Sequence, residues 1–225
     1  MSMWTSLAYL DPLARQGCHF VNQVTIELGV RDNGTVIEEM QDEAQSMLSD
    51  GQYRHALAEF SVLREIRARR EGPYSPMYLS NLHDCVRCMS WLQMWADSTP
   101  LCRELHGKYV RTHGRGQADT VDVAKHWAWA LVHLGDFEPA VQLYLNTADA
   151  LWELEPEQAH RLLGAAVLHR HDYDPESMVA TGQIDGVPLA HRLDMLADLA
   201  VLRTEFPDTG ADTALRRTTI DGAVA

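Results

Sequence analysis

The sequence has no apolar stretch near the roughly 18 residues that a helix needs to cross a bilayer, so no membrane span is expected. It has no basic start ahead of an apolar run: MSMWTSLAYLDPLARQG lacks the order of a secretory leader. Cysteine is scarce. Cys18, Cys85, Cys88 and Cys102 are the whole complement, and without a leader they read as reduced thiols of a cytoplasmic protein. Positive charge is also in deficit, with 19 Lys and Arg against 32 Asp and Glu, a formal net charge of −13. Such a surface repels phosphate backbones and anionic headgroups, so neither nucleic acid nor a membrane surface is an expected partner.

The motifs of common chemistries are missing as well. There is no GxxxxGK[ST] phosphate loop, no HExxH and no GxSxG. Strand signals are too few to place a Ser/His/Asp set on strand ends. The eleven histidines show no spacing that promotes acid–base work. No catalytic residue, metal site or cofactor is therefore assigned.

What the chain does have is 46% apolar residues over 225 positions, enough to fold and to bury a sizeable core. It also has a repeat. Gly51-Gln52-Tyr53-Arg54-His55-Ala56 resembles Gly135-Asp136-Phe137-Glu138-Pro139-Ala140, 84 residues or twice 42 further on, with Gln93-Met94-Trp95-Ala96-Asp97-Ser98 midway. Columns hold that register: Tyr53, Trp95 and Phe137; Ala56, Ser98 and Ala140; Ala44, Val86 and Ala128; Met47, Met89 and Leu131; Phe60, Cys102 and Tyr144. Within each unit the columns recur every three or four residues, the period of a buried helical face. Each unit thus reads as two antiparallel helices, with a small residue allowing close approach and an aromatic filling the wedge at the turn. Gly72-Pro73-Tyr74-Ser75-Pro76 and His113-Gly114-Arg115-Gly116 stop one helix and start the next. The spacing predicts helices over 37–49, 53–70, 77–92, 95–112, 119–134, 137–153 and 156–170, with an amphipathic cap over 187–206.

Leu134-Gly135-Asp136-Phe137-Glu138-Pro139-Ala140 resembles the turn of a tetratricopeptide repeat (TPR). The 42-residue period and the Gly72–Pro76 linker are similar to the variety found in kinesin light chains and many actinobacterial proteins. The resemblance covers about 37–170. It implies an all-α fold, a TPR-like α-solenoid of antiparallel helix pairs winding as a right-handed superhelix, and a function in binding protein or peptide. Gln93 stands where the turn usually has Gly, and Ser98 where Ala is usual. The helical repeat domain is assigned to 37–206. Residues 1–36 form an N-terminal segment with two readings, a hairpin or a capping element. Val24, Ile26 and Leu28 alternate with polar residues, and Asn33-Gly34 is a turn signal. A strand there could pair with a second copy to make a homodimer. Residues 207–225 read as a flexible tail.

Two further motifs have simpler explanations. Cys85-Val86-Arg87-Cys88 lies mid-helix with no strand before it, and Cys85 and Cys102 fall on core columns, so packing accounts for them better than redox chemistry or zinc. His169 and His171 of HRHDYD point to opposite sides if the helix continues, and read as surface histidines at a helix C-terminus.

The resemblance puts groove-facing side chains on the first helix of each unit. Carried over, these are Glu38, Gln41 and Gln45; then Ser80, His83, Arg87 and Trp91; then Asp122, Lys125, Trp129 and His133. Arg87 and Lys125 are cations in an acidic chain, and with Trp91 and Trp129 they suit a partner's acidic or C-terminal carboxylate beside an apolar side chain. The expectation is a scaffold or adaptor. The alternatives are a peptide-sensing regulatory module and an accessory enzyme of a small-molecule pathway.

Overall fold

The computed structural model describes residues 33–170 and 173–206. They form two compact units that divide after Gln93. The strand-like pattern at 23–28, Cys18, His171, Asp172 and the segment 207–225 lie outside the described residues.

The first unit contains α1 (Asn33–Ser49), α2 (Tyr53–Arg70) and α3 (Pro76–Trp91), with α2 packed against both of the others. α1 begins four residues before its expected start. Asn33-Gly34 therefore opens a helix instead of turning a hairpin. Asn and Gly are also accepted at helix entrances, and the apolar spacing through Ile37 and Ala44, both buried, continues the helix behind them. Gly51 ends α1 in the left-handed region, at φ 74°. Ser75 caps α3, its hydroxyl accepting from the Tyr78 N–H at 3.2 Å, and Pro76 sits at the first helical position, where a missing N–H costs nothing. Phe60 and Leu63 of α2 and Leu79, Leu82 and Val86 of α3 are buried.

The second unit runs through α4 (Trp95–Thr112), α5 (Ala118–Leu134), α6 (Phe137–Leu151) and α7 (Pro156–Leu168), each packed on the next. Then come the short α8 (Pro175–Ala180), strands β1 (Gln183–Ile184) and β2 (Val187–Pro188), and α9 (Arg192–Glu205), which packs on α7 and α8. The expected helix over 187–206 thus begins later, because an antiparallel hairpin occupies its first residues. Asp185-Gly186 forms the hairpin's two-residue turn, both at positive φ (49° and 73°), and Asp-Gly is a favoured pair for such turns.

One apolar cluster fills this unit. Ala124, Ala128 and Leu131 of α5 meet Val141, Leu145 and Ala148 of α6, Leu163 and Ala166 of α7, and Met195, Leu199 and Leu202 of α9. Alanine at the helix contacts lets the axes approach, and leucine fills the layers between. The buried Asp149 of α6 ties distant pieces together. It accepts the His191 N–H at 2.8 Å where α9 begins, and it lies 3.6 Å from Arg115 in the α4–α5 linker. Gly116 in that linker must lack a side chain. A Cβ there would sit 2.8 Å from both the Ala150 carbonyl oxygen and Leu154 Cδ1.

Candidate partner-binding faces

In the first unit, α3 carries polar residues on the side that meets α1. Asn81 Nδ2 donates to Gln41 Oε1 at 2.6 Å, and Gln45 Nε2 donates to Asp84 Oδ2 at 2.8 Å. Arg87 approaches the other oxygen of Asp84 at 3.5 Å. Asn81 and Asp84 are buried, so these bonds satisfy the Asn81 amide nitrogen and the Asp84 carboxyl, while Asn81 Oδ1 has no partner among the described residues. Burial nevertheless dominates at Asp84. It pushes the carboxyl above its ordinary value, opposed by Arg87, Gln45 and His83.

Gln41 and Gln45, expected to face a partner, are instead committed to holding α1 on α3. His83 departs further from expectation: it is only 3% exposed and offers no surface to a ligand. Arg87 stays accessible, although Asp84 engages it. Trp91 is 65% exposed, and its ring stacks on Tyr53 at 5.3 Å with the planes 4° apart.

In the second unit, Asp122, Lys125, Trp129 and His133 follow one another at steps of three, four and four along α5, one stripe of the helix. All four retain solvent access, while Val121, Val123, Ala124, Ala128, Ala130 and Leu131 on either side are buried. Asp122 pairs with His126 at 3.8 Å. Trp129 meets His133 edge to face at 4.5 Å, and His133 stacks on Trp95 at 4.4 Å with the planes 5° apart. Among the described residues Lys125 has no ion-pair partner.

The two stacks are the same device one period apart, since Trp95 follows Tyr53 by 42 residues and His133 follows Trp91 by 42. In each, the aromatic that opens the second helix of one repeat lies flat on the ring at the end of the first helix of the following repeat, inside the same compact unit. In the sequence the column Tyr53, Trp95 and Phe137 reads as a turn wedge. The column Trp91 and His133 was available at the same offset and would have revealed the partner ring. The third member, Phe137, stacks on His169 at 6.4 Å.

His169 is buried between Phe137 and Tyr144, not on the surface as expected, because the chain turns there and folds back over α6. Cys85, Cys88 and Cys102 are buried, and desolvation pushes their thiols up to about 11, 12 and 12. They are protonated at neutral pH and poor nucleophiles. Among the described residues no three His, Cys, Asp or Glu side chains gather where they could hold a metal ion, and no helix is long and apolar enough to cross a membrane.

No family model and no curated sequence matches the chain. Solved structures do. The nearly identical TPR-like repeats of a kinesin light chain candidate from Podosopora anserina align over 85% of this chain and 96% of that one, with a TM-score of 0.50 and 14% identity. A variant form of the same protein aligns at 13% identity over 85% and 94%, with a TM-score of 0.49. At such identity the likeness is one of architecture, and the chain has an all-α, TPR-like fold of consecutively packed helices.

Proposed function

We propose that the chain is a scaffold or adaptor that holds a segment of a partner protein, extended or helical, against the first-helix faces of its repeats. One observation carries the reading: the α5 stripe keeps solvent access, with His133 exposed and Asp122, Lys125 and Trp129 half-buried, while the helix is buried on both sides of it. A stripe held rigid on its flanks loses little freedom when a partner docks, so less of the contact energy goes into ordering it. Its chemistry selects a carboxylate for Lys125 and a neighbouring apolar side chain for Trp129. An aspartate, a glutamate or a chain terminus would each supply the first. Arg87 and Trp91 of α3 offer a second face of the same kind, weaker because Arg87 must first loosen its hold on Asp84. Such an adaptor would act in the cytoplasm.

Selection of random peptides on the full chain tests this. Enriched peptides should carry an acidic or free carboxyl group beside an apolar residue. They should lose about tenfold or more in affinity, roughly 1.4 kcal/mol, against Lys125→Glu combined with Trp129→Ala. They should bind the exposed-site control Glu153→Ala unchanged. Peptides that bind the double variant as well as the parent protein would remove α5 from the reading.

A further inference from the structure

α9 closes the second unit, and its outward face is apolar. Met195, Leu199 and Leu202 point into the core. On the opposite side Leu193 is 77% and Val201 55% exposed, and Ala197, Ala200 and Thr204 are exposed beside them. Leu193, Ala197, Ala200 and Thr204 follow at steps of four, three and four, the seam spacing of a two-helix contact. The two alanines at its centre allow a second helix to come close.

The flanks of this seam carry opposite charge. On a helix of 3.6 residues per turn, Asp194, Asp198 and Glu205 fall on one side of it, and Arg192 and Arg203 on the other. Neighbouring contacts fix these sides. Asp198 reaches His160 of α7 at 3.2 Å, and Arg203 reaches Glu176 of α8 at 3.5 Å.

We infer that this face binds a second copy of the chain, with the two α9 helices side by side and parallel about a twofold axis. The charges select that orientation. A parallel twofold lays the acidic flank of each helix against the basic flank of the other, bringing Asp194 near Arg192 of the second copy and Glu205 near Arg203. An antiparallel twofold would set acid against acid and base against base, which is destabilising. One helix pair covers an area at the low end of specific interfaces, below about 1,200 Å², so the dimer is weak, with a dissociation constant in the micromolar range. The inference concerns a different helix and does not depend on what the α3 and α5 faces bind.

Sedimentation equilibrium of the full chain, over concentrations from about 1 to 300 μM, reads the association directly. The parent chain should dimerise, and Ala197→Glu should weaken dimerisation at least thirtyfold while the circular dichroism stays unchanged. Asp194→Arg should weaken it severalfold, and adding Arg192→Asp should restore most of the loss. Parallel packing places each seam residue opposite its own copy, so Thr204→Cys in a Cys18→Ser background should form a covalent dimer under mild oxidation. A chain that stays monomeric overturns the inference, whether residues 207–225 or another protein covers the face. A dimer indifferent to Ala197→Glu, or one that Thr204→Cys fails to cross-link, overturns it equally.

Discussion

The two units solve the same packing problem with different chemistry. In the first, α1 meets α3 through a polar seam of Gln41, Asn81, Gln45, Asp84 and Arg87. In the second, the residues one period after Asn81 and Asp84 are Val123, fully buried, and His126, and the unit is held by an apolar cluster running from α5 to α9. An apolar contact tolerates sliding between helices, whereas a pair of hydrogen bonds four residues apart on α1 fixes one register. The first unit therefore gains definition from its seam but little net stability, since each bond replaces one with water. The second gains its stability chiefly from apolar burial, with the Asp149 contacts fastening its ends.

Truncating the apolar cluster should produce the largest effect. Leu163 is fully buried within it, and Leu163→Ala should cost about 3 kcal/mol in urea unfolding, by lost transfer energy and the cavity left behind. Next comes Gly116→Ala. The added methyl has 2.8 Å to a backbone oxygen that cannot yield without moving α6, so a loss of about 2 kcal/mol is expected. If Leu163→Ala melted like the parent chain, the apolar cluster would not be what holds the second unit; an unchanged Gly116→Ala would show that the linker can move away from α6.

The units should also respond to pH in opposite senses. The Asp84 carboxyl is raised, so the fold favours its protonated form. Its contribution is fully present below the ordinary carboxylate value and is lost as pH rises through the raised one. His106 in α4 is lowered, by burial first and by Arg115 second. Its contribution is fully present above the ordinary imidazole value and is lost as pH falls through the lowered one. Amide exchange measured across pH should show α1 and α3 loosening towards neutrality, and α4 and α5 loosening in acid. Asp84→Asn keeps an acceptor for Gln45 without the charge, and should flatten the first trend while leaving the second intact. A first unit whose protection rises with pH would contradict the burial of Asp84.

What was legible in the sequence follows from this contrast. Recurring apolar columns specify each helix and its buried stripe, so α2 through α7 appear close to their predicted bounds. Which polar residue on α1 or α3 meets the neighbouring helix depends on the angle at which repeats stack, and a period in one chain does not encode that angle. The repeat pattern therefore points Gln41, Gln45 and His83 at a partner, whereas the unit itself bonds the two glutamines and buries the histidine. The hairpin at 183–188 was hidden by brevity: two-residue strands leave no alternation to read, and only Asp185-Gly186 marks it.

The turns provide the smallest and most local test. Gly51, Gln93 and Gly135 occupy the same repeat position, and all three take positive φ, at 74°, 57° and 82°. The backbone requirement is therefore set by the repeat and survives the loss of glycine. Gln93 adopts the left-handed conformation although its Cβ crowds the following carbonyl, a strain of roughly 1–2 kcal/mol. Gln93→Gly relieves that strain but also frees the unfolded chain, which returns part of the gain. The net expectation is a stabilisation of about 0.5 kcal/mol, visible as a small rise in urea midpoint with unchanged slope. Gly51→Gln and Gly135→Gln should each show the opposite sign. Equal stability of all three variants would mean that these turns relax freely, and the 42-residue register would then rest on the aromatic stacks of Tyr53 on Trp91 and Trp95 on His133 instead of on the turn backbone.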